Sequence, residues 1–391
     1  MMRKKQYSRS KLLKIVLLIN LAIFAFLLSS VFKLSANSSK TPAIEAKRIA
    51  DECFNKNKEK CYENEFVQLT KDMDISFAEQ TLYAIQDYDP LTRHCHVLSH
   101  EISKTATRKD PSRWKELMQK VNIQTCGAGF LHGILEAHAG DDPNFMITPK
   151  FVDETCIEGA INFKAYTCSH ILGHLIIVDK EGKIDPALDL CSKINPELTK
   201  ECYTGVFMED SFKLDLVEHG FAQIPVRDEA RMVRQTDRCL KYDGLKSVGC
   251  WIDLAEIYAE LYNYDSQKVY DSCYKAPLEA ARKDCYLKGV ILMAVSPDYE
   301  TSKQFLSECN FYTNDREMYK KCTDFIISSL MHYSPKFASR GVTLCSNIDD
   351  EYKTFCFQDL GRQLKVNVLS RTDRNSYCSG APDMYKNFCV D

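Results

Sequence analysis

Apolar residues in this chain fall into short runs of helical spacing, and most of these runs start at a cysteine. Cys202-Tyr-Thr-Gly-Val-Phe-Met, Cys250-Trp-Ile-Asp-Leu-Ala, Cys285-Tyr-Leu-Lys-Gly-Val-Ile-Leu-Met, Cys322-Thr-Asp-Phe-Ile-Ile and Cys356-Phe-Gln-Asp-Leu are the clearest. Each of these cysteines follows, by 11 to 13 residues, another cysteine that closes the preceding apolar run. Between the two lie polar residues suited to a turn and a helix start, such as Asn195-Pro196-Glu197 or Asn347-Ile348-Asp349-Asp350. The pattern predicts a repeating unit of helix, loop and helix. One such hairpin cannot bury its apolar face alone, whereas stacked neighbours share a continuous core. The cysteines that open the second helix recur from Cys61 to Cys389 at intervals of 31 to 48 residues, the period of a stacked helical array. The expected fold class is therefore all-α: a helical-hairpin (α/α) solenoid with roughly one disulfide per repeat, preceded by a single transmembrane helix.

The layout resembles tetratricopeptide-like and disulfide-bridged Sel1-like arrays. Neither the W-x2-L-G-x2-Y pattern nor a Gly/Ala-rich Sel1 signature occurs, so the resemblance is one of layout and implies no function.

The cysteines number 18, with no CxxC to suggest a zinc ribbon or thioredoxin chemistry. The spacing pairs them as Cys53–Cys61, Cys95–Cys126, Cys156–Cys168, Cys191–Cys202, Cys239–Cys250, Cys273–Cys285, Cys309–Cys322, Cys345–Cys356 and Cys378–Cys389. Each local pair closes a loop of about 12 residues and stabilises its unit by at most about 2–3 kcal/mol. Cys95 and Cys126 depart from the rule, since each opens a second helix and neither has a local partner. Pairing them brings equivalent positions of adjacent units within about 7 Å, closer than the usual helix spacing of about 10 Å, so the stack is expected to be pinched there.

At the N-terminus Arg3, Lys4, Lys5, Arg9, Lys11 and Lys14 precede an apolar run from Ile15 to Phe32, followed by Lys33. This reads as a cytoplasmic basic segment (1–14) and a signal-anchor helix (15–33), with Leu34-Ser35-Ala36 offering a cleavage site to the alternative of a secretory signal. All cysteines lie downstream, which places the bulk of a single-pass membrane protein in an oxidising, extracytoplasmic space, periplasmic or extracellular. The remaining divisions are a linker (34–50), His-rich repeats (51–212) and C-terminal disulfide-stapled repeats (213–391). Residues 1–36 hold seven Lys or Arg and no acid, leaving 44 cations against 54 anions for the rest. That acidic balance argues against a nucleic-acid partner.

Seven of the nine histidines fall within the 81 residues from His94 to His174. Three consecutive runs read Cys95-His96-Val-Leu-Ser-His100-Glu101, Cys126-Gly-Ala-Gly-Phe-Leu-His132-Gly-Ile-Leu-Glu136-Ala-His138 and Cys168-Ser-His170-Ile-Leu-Gly-His174. In each, two candidate ligands stand four residues apart, on one helical face. His96, His100, His132, Glu136, His170 and His174 are thus expected to face one cleft and hold zinc, iron, copper, nickel or manganese. First and third helices of a flat stack are about 20 Å apart, so the wall curves, or two ions divide the set. In the divided case one ion lies by His96, His100 and His132, the other by Glu136, His170 and His174. Gly129, Gly133 and Gly173 flank the ligands and permit close approach.

If the centre is catalytic, Glu136 or Glu101 is the candidate general base and Glu209, continuing the row, steers substrate. His94 reads as a cap or surface residue and His138 as a supporting group. His219 and His332 are isolated. His100-Glu101-Ile-Ser-Lys is not HExxH, Gly127-Ala-Gly129-Phe-Leu-His132 lacks a preceding strand, and Ser169 reads as a helix cap. Noncovalent haem between two histidines is one alternative, without CxxCH for covalent attachment. A metal-free scaffold binding a protein partner through its C-terminal repeats is the other.

Overall fold

The computed structural model describes residues 41–391, apart from 90–91, 93–94, 123–124, 142–144, 159–162, 214–215, 218–219, 224–227, 296–308, 310–311, 313 and 369. Among the described residues the chain is all-α, with no strand. Helices α1 (Pro42–Cys53), α2 (Lys58–Asp72), α3 (Ile75–Ile85), α4 (His96–Lys109), α5 (Trp114–Lys120) and α6 (Gly129–Leu135) come first. They are followed by α7 (Pro149–Asp153), α8 (Phe163–Asp179), α9 (Ile184–Cys191), α10 (Pro196–Phe212), α11 (Glu229–Cys239) and α12 (Gly244–Leu261). The rest are α13 (Ser266–Cys273), α14 (Glu279–Val295), α15 (Arg316–Tyr333), α16 (Ala338–Asn347), α17 (Asp350–Asn367), α18 (Arg371–Tyr377) and α19 (Asp383–Val390).

Short polar side chains set many of the helix starts. Asn57, Asp74, Asn195, Asp228, Asp265 and Asp315 each accept a backbone N–H of the first turn they precede, satisfying donors that the helix itself leaves open. The same device places α1 inside the stretch expected to be linker. Thr41 accepts from the Ile44 N–H and Pro42 occupies the first helical position, where its missing N–H costs nothing.

The nine expected cysteine pairs are the nine disulfides of the structure. The expectation that the second cysteine opens its helix is corrected. Cys202, Cys250, Cys285, Cys322, Cys356 and Cys389 are each the seventh residue of their helix. The helix starts in the polar stretch before the cysteine, and the bond ties the end of one helix to the second turn of the next.

Helices α2, α4, α6, α8, α10, α12, α14, α15, α17 and α19 form a series in which each packs on the next. It runs unbroken through the boundary expected at 212/213, where α10 packs on α12. The series also bends back on itself. The C-terminal end of α15 meets the turn at 126–128, with the Tyr333 ring beside Gly127. Ser334 Oγ donates to Gln86 Oε1 at 2.7 Å, and Lys336 pairs with Asp87. Residues more than 200 positions apart are thereby neighbours.

The single-pass membrane reading, with anchoring through an N-terminal helix, is corrected as well. Residues 15–33 lie outside the described residues, and among the described residues no helix is long and apolar enough to cross a membrane. The longest helices carry charges along their length, as α12 does with Lys246, Asp253, Glu256 and Glu260, and such charges are costly in hydrocarbon.

Candidate metal centre

Two pairs of helices bring the histidines together, and glycine sets the spacing in both. Where α6 crosses α4, a Cβ on Gly129 would overlap the Ser99 hydroxyl and the His96 carbonyl, and one on Gly133 would overlap the His100 carbonyl. Where α10 crosses α8, a Cβ on Gly205 would overlap the His170 carbonyl, and Gly173 faces Gly205. Backbones this close carry side chains one turn away into mutual contact. Ring centroids of His100 and His132 are 4.8 Å apart, of His132 and His174 5.2 Å, of His170 and His174 4.9 Å, and of His96 and His132 5.8 Å. Five imidazoles from three helices thus form one continuous row.

The Cys95–Cys126 disulfide pins this arrangement, with its Cα atoms 5.0 Å apart. Cys126, Gly127 and Ala128 all have positive φ, 54°, 60° and 63°, a backbone state that side chains beyond glycine rarely adopt. This left-handed turn aims the Cys126 and Gly127 carbonyls at His96 Nδ1, each at 3.1 Å. With two acceptors before it, that nitrogen carries the proton, and Nε2 keeps the lone pair.

The same outer support recurs along the row. His170 Nδ1 lies 2.8 Å from the Thr204 hydroxyl, which donates its own proton to the Glu201 carbonyl at 2.7 Å. His170 Nδ1 is therefore the donor. His174 Nδ1 lies 3.3 Å from Glu209 Oε2, while Glu209 Oε1 accepts the Leu216 N–H at 2.8 Å. Oxygen partners on Nδ1 fix the tautomer and orient the ring, as they do around protein-bound metals.

His100, His132 and Glu136 offer one ligand atom each, and these atoms all lie within 4.8 Å of one another. Glu136 is fully buried, its Oε1 held by Lys104 Nζ at 2.6 Å and its Oε2 in contact with His100 Nε2. Glu101 Oε1 lies 3.4 Å from His100 Nδ1. Burial pulls the His100 pKa down, but Glu101 and Glu136 outweigh it and raise it to about 9. Hydrogen bonding to His100 in turn lowers Glu101. Burial, then His132 and His100, pushes His96 down to about 3. Burial, then His174 and Lys288, pushes His170 well below its ordinary value. His96 and His170 are neutral at physiological pH, the state in which imidazole binds metal, whereas His100 is charged beside Glu136 and must release its proton when an ion binds.

Three placements differ from the sequence expectation. Glu136 joins His100 and His132, not His170 and His174, because it points back toward α4 and Lys104. Glu209 takes the place beside His174. Ser169 lies inside α8 and donates to the Leu198 carbonyl at 2.9 Å, bridging two helices instead of capping one. His138 stacks on Trp114 at 4.3 Å, in an aromatic group with Phe145 and Phe151. His332 lies beside the Tyr333 ring. His94 and His219 lie outside the described residues.

Sequence reasoning missed Lys104, Thr204, Lys288 and Tyr333. A signal existed for Thr204, since it stands two residues after Cys202 as His170 stands two after Cys168. Lys288 and Tyr333 come from the C-terminal disulfide-stapled repeats, in which the sequence reading placed no site residue. Lys288 Nζ is 3.8 Å from Glu256 Oε2, and its ammonium is close enough to act on both His170 and Tyr333.

On the same helix as Glu256, buried Asp253 is lifted to about 8, mainly by burial and further by Glu256 and Asp210, against its hydrogen bond with the Ser211 hydroxyl and the charge of Arg238. An aspartate in the unfolded chain titrates near about 4. Between these values the folded chain holds a proton that the unfolded chain has lost, so this group makes stability fall as pH rises from 4 to 8. Asp253→Asn removes that fall. Its stability advantage over the parent is expected to be about 2 kcal/mol larger at pH 8 than at pH 4, below the full shift because buried sites relax. Urea unfolding at the two pH values checks this, and equal differences at both would refute it.

Comparison with protein-family models, with curated proteins and with solved structures finds no match for this chain.

Proposed function

We propose that this is a transition-metal-binding protein whose helical hairpins stack as a curved, disulfide-stapled solenoid around a His/Glu centre in an oxidising compartment. The observation that carries the reading is the convergence of His100, His132 and Glu136 within 4.8 Å across two glycine-spaced helices. Two imidazoles and one carboxylate, with positions left open, suit iron(II) or zinc best, with copper, nickel and manganese as further occupants. His96 stands next to the set and supports it.

Of the two candidate bases, Glu136 is taken up by Lys104 and His100, so Glu101, half-buried at the edge of the set, is the acid–base group of this reading. Haem is not favoured. Imidazoles packed 4.8–5.8 Å apart in tilted and edge contacts leave no slot for a porphyrin between them.

The test is metal titration of the oxidised chain followed by elemental analysis after desalting. Retained iron or zinc is expected, and His100→Ala with His132→Ala should weaken it beyond the roughly 10–100-fold cost typical of outer-sphere changes. A chain that folds with all disulfides and retains no metal would refute the reading in favour of a scaffold whose partner docks on the C-terminal repeats.

A further inference from the structure

We propose that a second metal ion sits between His170 and His174, with His132 as a ligand shared with the ion of the His100–His132–Glu136 set. The inference rests on the metal-binding reading above for the shared ligand, but a separate observation carries it. His170 Nε2 and His174 Nε2 face each other at 3.2 Å. Both rings spend their Nδ1 proton on an outer oxygen, Thr204 for His170 and Glu209 for His174. With both Nδ1 protons so committed, one further cation, a proton or a metal ion, holds the two Nε2 atoms at this distance. Two imidazoles on one ion, with bonds of about 2.0–2.1 Å and angles near tetrahedral or octahedral, stand about 2.8–3.4 Å apart. The observed separation falls within that window.

A third donor stands close by. The His132 ring lies between the two groups, 4.8 Å from the His100 ring and 5.2 Å from that of His174, and an imidazole has a nitrogen on either side. Serving two ions, His132 gives up its remaining N–H proton to solvent. The outer groups match as well. A buried carboxylate on one imidazole and a hydroxyl on the other are the partners that orient metal-binding histidines. Glu209 is itself fixed by the Leu216 N–H, so it holds its position whether or not an ion is bound.

Zinc and copper(II) titrations of the full oxidised chain test the proposal. The parent is expected to retain two equivalents of zinc, and His170→Gln with His174→Gln should retain one. Thr204→Val keeps the side-chain shape and removes the acceptor on His170. It should weaken the second equivalent about 10–100-fold and leave the first unchanged, so a folding defect in the double variant does not decide the matter. In the copper form, two ions joined through His132 should couple magnetically and lose electron-paramagnetic-resonance intensity, with a full single-copper signal returning in the His170/His174 variant. One retained equivalent, lost with His100→Ala and His132→Ala but kept in the His170/His174 variant, overturns this proposal and leaves the first reading standing. An equivalent that survives His100→Ala with Glu136→Gln and disappears with His170→Gln and His174→Gln supports this site while refuting the other set. Two equivalents without magnetic coupling overturn the shared role of His132.

Discussion

Gly205→Ala is expected to destabilise the fold by about 3 kcal/mol, although helix propensity alone favours alanine over glycine by about 1 kcal/mol. The new methyl group would overlap the carbonyl oxygen of His170 on the facing helix. That oxygen belongs to backbone and cannot swing aside, so α8 and α10 must separate. Separation loosens the packing of two helices that are buried around most of their circumference, and it pulls Thr204 away from His170. Metal retention should fall with stability. Gly341→Ala is the matched control. There the methyl meets the Leu360 side chain, whose Cδ1 would stand 2.9 Å away, and a leucine end can rotate, so the change should be near neutral. Denaturant unfolding of both variants decides the point. A Gly205→Ala protein as stable as the parent would mean that the helices are not held at this distance.

That contrast shows what the chain discloses directly and what it does not. The disulfides were legible because each local pair joins segments 8 to 13 residues apart, and a short loop leaves few partners to choose from. The pinch at Cys95–Cys126 followed by elimination. The histidine row was legible because ligands four apart repeat in register with those cysteines, and Gly129, Gly133 and Gly173 marked the close approach. Glu209, not Glu136, stands beside His174 because register along a helix does not say which neighbour a long side chain reaches toward. Lys104 was invisible, since a lysine in a helix is exposed in nearly every context and only a buried carboxylate opposite makes it otherwise. The return of α15 onto the turn at 126–128 was also invisible. It depends on small rotations summed over many units, which no local pattern encodes.

Lys104→Met separates a metal-ligand role for Glu136 from a purely structural one. The Lys104 side chain is 2 % exposed and that of Glu136 1 %, with the ammonium 2.6 Å from Oε1. Breaking a buried pair by removing one member costs about 3–5 kcal/mol, and the lower end applies here because His100 stays against the other oxygen of Glu136. Methionine fills nearly the same volume, so little of the loss should come from a cavity. The metal-free variant is therefore expected to be about 3 kcal/mol less stable than the parent. If Glu136 binds the ion, the ion supplies the missing positive charge in the loaded protein, and most of that loss is recovered. By linkage, the affinity for metal must then rise by the same free energy, about 100-fold for about 3 kcal/mol. A carboxylate that only anchors Lys104 gives a different result: the variant is destabilised equally with and without metal, and its affinity is unchanged. Unfolding curves at zero and saturating zinc, combined with a competition titration, distinguish the two. The sign of the affinity change is decisive, because a variant that was merely damaged would bind metal more weakly, whereas release of Glu136 from its competing cation makes it bind more tightly.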